Sequence, residues 1–165
     1  MRLFTKEEIE RIRKSFINRK YENVPVDLQE LQFSYFLIPQ DVNIELPDFA
    51  MMMRGLTKED GSLVGVSTSV DYLFRPYWAA LEFIEAGLDQ ESENRCLNSL
   101  EKELELISSE PSEFHSVYIR RRRDFFRNLV DYATRKGYDE TDIQNFIQSR
   151  NRLEELVKSL PLFSD

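Results

Sequence analysis

Two apolar lines near the C-terminal end constrain this chain more than any other feature. Ile143, Phe146, Leu153, Val157 and Leu160 fall on alternating three- and four-residue steps, and Arg150 stands in the same line. Upstream, Tyr118, Arg122, Phe125, Leu129 and Tyr132 repeat the rhythm, again with one arginine inside it. Such spacing lays a narrow seam along a helix, and a seam of this kind must be buried against something. Gly137 separates the two lines, and so short a turn makes the helices antiparallel neighbours. The expectation is a long helical hairpin whose two faces each carry a cation that an ordinary apolar core excludes.

Two readings account for those arginines. A long cationic side chain can lay its stem on apolar neighbours and send its guanidinium to water. Alternatively, Arg122 and Arg150 meet carboxylates at a subunit or partner interface, where the planar guanidinium pairs with two oxygens at once. Glu101, Glu103 and Glu105, on the helix before the hairpin, are the intramolecular counterparts within the sequence.

The chain has 165 residues, 41% hydrophobic and 32% charged, which fits one folded domain, residues 1–165, rather than a disordered segment. A formal charge of −8 argues against general attraction to nucleic acid or anionic membranes and suits a basic partner, or solubility alone. A single cysteine, Cys96, excludes an internal disulfide and fits a reducing compartment. No segment is long and apolar enough to span a bilayer, and the N-terminal residues lead into a charged helix rather than an apolar signal core. The expected location is the cytoplasm.

Thr5 and Glu8 have the spacing of a capping box, and Phe4 with Ile9 that of a hydrophobic staple, so two local devices start one N-terminal helix. Its stripe is Ile9, Ile12 and Phe16, and it fades near Lys20. Residues 21–68 hold Pro25, Pro39, Pro47, Gly55, Gly61 and Gly65, which disfavour a long helix. Leu31, Phe33, Tyr35 and Leu37 share one parity, as do Val42, Ile44 and Leu46. Asp60-Gly61 between two apolar runs is a two-residue hairpin signal. These point to a small antiparallel sheet over about residues 31–68, with a buried helix from Asp27 to Leu37 as the rival reading. Met51-Met52-Met53 reads as an interior strand, or alternatively as a docking strand.

Four helices follow. Pro76 suits a first turn, with Tyr77, Leu81 and Ile84 behind it and Gly87 closing the helix. Asp89 caps the next, whose stripe is Leu97, Leu100, Leu104 and Ile107. After a break at residues 108–112 come helices from about Glu113 to Lys136 and from Asp139 or Thr141 to just before Pro161. The fold class is therefore mainly α within α+β.

Chemistry is sparse. Arg120-Arg121-Arg122-Arg123, with Arg127 beyond, is a candidate phosphate-binding run, yet consecutive helical residues fan out by about 100° each and cannot all face one ligand. His115 is the only histidine, so no histidine-based metal cage forms within one chain, and no metal or cofactor is expected. Cys96 beside Leu97 reads as a structural thiol. Glu101 and Glu105 are a carboxylate pair on one helix face without the histidine that would complete a di-metal motif. Tyr72, Phe74, Tyr77, Trp78 and Phe83 read as core aromatics. Ile44-Glu45-Leu46-Pro47, followed by an apolar stretch, resembles a short segment of the small sheet domain of GINS-type replication subunits, and the order of sheet before helices is the same.

The sequence thus points to a non-catalytic protein that binds another protein or a second copy of itself, as a subunit, adaptor or inhibitor of the immunity type. Its candidate contact residues are Arg120, Arg121, Arg122, Arg123, Arg127 and Arg150. The alternatives are a nucleic-acid-binding accessory protein using the Arg120–Arg123 run, and an enzyme with a cleft around Glu101, Glu105 or His115.

Overall fold

The computed structural model describes residues 4–17, 23–29, 31–39, 45–53, 63–88 and 94–161. They fall into two units, Met1–Gly87 and Leu88–Asp165, each considered by itself. The element order is an N-terminal helix, four strands and four further helices, the α+β arrangement dominated by helix that the sequence indicates.

In the first unit, α1 (Lys6–Ile17) starts where the capping box places it. The Thr5 amide donates to Glu8 Oε1 at 3.0 Å, and the Glu8 amide donates back to Thr5 Oγ1 at 3.2 Å. Phe4 is buried edge-on against Phe49, and Ile12 is fully buried. Strands β1 (Val24–Leu28), β2 (Leu31–Ile38), β3 (Ala50–Met53) and β4 (Leu63–Ser67) form one sheet in the order β1-β2-β4-β3. The rival helix over Asp27–Leu37 is excluded, since both β1 and β2 occupy that stretch.

The sheet is mixed: β1–β2 and β3–β4 are antiparallel, but β2 and β4 run parallel, with Phe36 opposite Gly65. Burial of both Tyr35 and the pair Phe36 and Ile38 shows that β2 is covered on both faces, as parallel pairing requires. Gly65 matters here, because a Cβ in its place would stand 2.7 Å from Ile38 Cδ1 and 3.2 Å from Phe36 Cζ. Among the described residues β3 ends the strand order; as expected of a strand against the core, Ala50 and Met51 are buried, and Met52 is half-buried. The Asp60-Gly61 turn and the Val42–Ile44 run lie outside the described residues, and Leu46 is buried outside any strand.

Helix α2 (Arg75–Ala86) covers this sheet, packing on β2, β3 and β4, with Pro76 in its first turn. Trp78 is buried and donates its indole N–H to the Asp48 carbonyl at 2.7 Å, and Phe83 stacks on Phe33. Of the aromatics read as core, Phe74, Tyr77 and Trp78 are buried, whereas Tyr72 is exposed. Gly87 closes α2 by donating to the Ile84 carbonyl at 3.0 Å.

The second unit contains α3 (Arg95–Leu106), α4 (Ser112–Lys136) and α5 (Glu140–Lys158). Asn94 precedes α3, and Asp89 lies outside the described residues. Gly137 adopts the left-handed conformation (φ +72°), which only glycine takes without strain. The Tyr138 amide donates to the Ala133 carbonyl at 3.0 Å, and α5 turns back along α4 as the expected hairpin.

All five members of the α4 line, Tyr118, Arg122, Phe125, Leu129 and Tyr132, are buried. The α5 line is displaced from the one expected. Phe146, Ser149 and Leu153 are buried, while Ile143, Arg150, Val157 and Leu160 are half-buried. Ser149 takes the core position because its small side chain lies against α3, donating to Cys96 Sγ at 3.2 Å. The stripe of α3 shifts likewise: Cys96, Leu100, Glu103 and Ile107 are buried, and Leu97 and Leu104 half-buried.

Candidate functional site

The arginines singled out by sequence take three different places. Arg122 lies inside the unit, with 1% of its surface exposed. Its Nε donates to Glu103 Oε1 and Oε2 at 3.0 and 3.2 Å, and its Nη2 donates to Oε1 at 2.6 Å. The Tyr118 hydroxyl donates to the same carboxylate at 2.5 Å, and the guanidinium lies over the Phe125 ring at 5.3 Å. Arg122 therefore does not snorkel; it meets one of the three intramolecular carboxylates, and the α3 register follows from that bond. Burial pushes the Glu103 carboxyl above its ordinary value, opposed by the charge and hydrogen bonds of Arg122 and the hydroxyl of Tyr118. Burial pushes the Tyr118 hydroxyl well up, reinforced by the negative charge of Glu103.

Arg121 stands exposed, about 100° around the helix from its neighbours. The remaining cations converge. Arg120, Arg123 and Arg127 are spaced i, i+3 and i+7, which places them on one stripe of α4, about 10 Å long, beside α5. Arg127 Nη2 donates to Glu154 Oε2 at 2.8 Å, and Arg123 donates to Asp124 Oδ1 at 3.2 Å. Arg120 bonds Ser116 Oγ and donates to the Pro161 carbonyl at 3.4 Å, near the far end of α5. Arg150, half-buried on α5, donates to Asn151 Oδ1 at 3.2 Å.

Glu154 ties the cluster together electrostatically. Its carboxyl is held below the ordinary value first by the hydrogen bond from Arg127, then by the charges of Arg127, Arg123 and Arg150. The same hydrogen bond raises Arg127. Between Arg120 and Arg127, four guanidinium groups and two carboxylates therefore share one edge of the hairpin, a local positive excess in a chain of formal charge −8, with Glu113 and Asp131 on the same α4 stripe beyond either end. The i, i+3, i+7 spacing was available in the sequence, but the unbroken arginine run drew attention to four neighbours that point apart. Glu154 is the member that sequence reading did not select. Opposite charges reaching across α4 and α5 were its only signal.

The other chemical candidates are dispersed. Glu101 pairs across to Arg152, while Glu105 is exposed. His115 sits half-buried in the first turns of α4. Cys96 is a buried thiol that accepts a hydrogen bond from the Ser149 hydroxyl and forms no disulfide. Among the described residues, no three of His, Cys, Asp and Glu gather as a metal-binding group, and no helix is long and apolar enough to cross a membrane. Compared with known proteins, the chain matches no family model, no curated protein and no solved structure.

Proposed function

We propose that this is a non-catalytic protein-binding protein of the cytoplasm, a subunit, adaptor or inhibitor, that docks through the outer edge of the α4–α5 hairpin. The observation carrying this reading is the gathering of Arg120, Arg123, Arg127 and Arg150 on one edge built from two packed helices. Arginine suits such a surface, because its planar head pairs with carboxylates and its stem covers apolar neighbours. Ile143 and Val157, both half-buried, supply apolar area on the same side of α5 as Arg150. Arg122 stands apart from the contact, since it serves the interior.

The test is gentle purification of tagged protein from its host, wild type beside Arg123→Glu/Arg127→Glu/Arg150→Glu, with mass measured by light scattering. The reading expects a companion in fixed ratio with wild type, either a second copy or another protein. The charge-reversed variant, folded by circular dichroism, should lose it. A companion held equally by both, or none with either, would remove the reading.

A further inference from the structure

We infer that the occupant of this edge is an acidic segment of a partner protein, presenting carboxylates at helical spacing to Arg120, Arg123 and Arg127; the inference rests on the interaction reading above. The chain's overall charge of −8 points towards basic partners, but the edge has the opposite local sign. A contact surface is selected by its own charges, since those beyond about 8 Å are screened at physiological salt. The three arginines repeat at i, i+3 and i+7, so one face of a second helix can meet them with carboxylates at the same steps.

The present partner of Arg127 is exchangeable. The side chains of Arg127 and Glu154 are 50% and 30% exposed, and exposed pairs of this kind are worth only about 0–1 kcal/mol. An incoming carboxylate therefore joins Glu154 at the open side of Arg127 at little cost. The two carboxylates of the edge also discriminate between classes of partner. Glu154 on α5 and Asp124 on α4 are bonded to Arg127 and Arg123, so a uniformly negative phosphate backbone meets like charge at two points along the stripe. A protein segment can place its own neutral or basic side chains there. The mixed signs of the edge thus favour protein over nucleic acid.

The experiment uses fluorescence anisotropy with the full chain and three labelled probes at low and moderate salt. The first is an alanine-rich helical peptide bearing glutamates at i, i+3 and i+7; the second carries glutamines instead; the third is oligothymidylate. The inference expects salt-sensitive binding of the glutamate peptide only. Binding should weaken about tenfold or more in Arg123→Glu/Arg127→Glu, less in Arg123→Gln/Arg127→Gln, and stay unchanged in Arg121→Glu, which lies off the stripe. Equal binding of the glutamine peptide, tighter binding of oligothymidylate, or no binding at all would overturn it. If no peptide binds while the purified companion is still lost on charge reversal, the acidic-segment inference falls and the interaction reading stands.

Discussion

Replacing Arg122 by methionine tests the physical reasoning about the second unit most severely. The substitution keeps the aliphatic stem and removes a guanidinium that makes three hydrogen-bond contacts of 2.6–3.2 Å to the fully buried carboxylate of Glu103. Glu103 is left with the Tyr118 hydroxyl alone. Breaking a buried pair from one side costs about 3–5 kcal/mol, because the surviving charge stays out of water without compensation. Replacing both partners by apolar groups, Arg122→Met with Glu103→Leu, removes that charge and should restore most of the loss.

The cost also depends on pH. Burial already raises the Glu103 carboxyl, and without Arg122 it rises further. A raised folded-state value means that the folded variant holds a proton which the unfolded chain has released. Its relative stability is therefore best below the ordinary carboxylate range and is lost as pH rises through the raised value. Urea denaturation followed by circular dichroism, at about pH 5 and about pH 8, reads both effects. A loss under about 1 kcal/mol at both values, as for a water-exposed pair, would refute the burial argument, as would a double variant no better than the single one.

Two further outcomes follow from the same structure. Tyr118 is raised well above its ordinary value, so the unfolded chain releases that proton first; stability should fall as pH climbs past about 10, and Tyr118→Phe should flatten this alkaline limb in urea melts. Gly65→Ala places a methyl group against Ile38 and Phe36, so thermal melts should show a loss of about 1–3 kcal/mol from overpacking between β2 and β4.

What the sequence disclosed follows the range of each interaction. The capping box at Thr5 and Glu8, the Gly137 turn and the α4 seam are local patterns, and each appears where the residues place it. The α3 register was hidden because the sequence offers Glu101, Glu103 and Glu105 alike, and only the reach of Arg122 and Tyr118 from α4 selects Glu103. Ser149 was overlooked for the same reason: a small polar residue enters the core only where a neighbouring helix comes close. The parallel pairing of β2 with β4 depends on contacts distant in sequence, which alternation within one strand does not encode. Of the candidate site, each arginine was visible, but their sorting into one buried, one isolated and four clustered needed the helix faces.

Site-specific photocrosslinking in the cells that make the protein tests the central claim most directly. A photoreactive amino acid replaces exposed Asn151, next to Arg150 on the edge, or exposed Asn98 on α3 as the comparison. The account predicts a discrete protein adduct from position 151 that disappears when Arg123 and Arg127 are reversed to glutamate, with none from position 98. Adducts of equal yield from both positions, or one at 151 indifferent to the reversal, would contradict it.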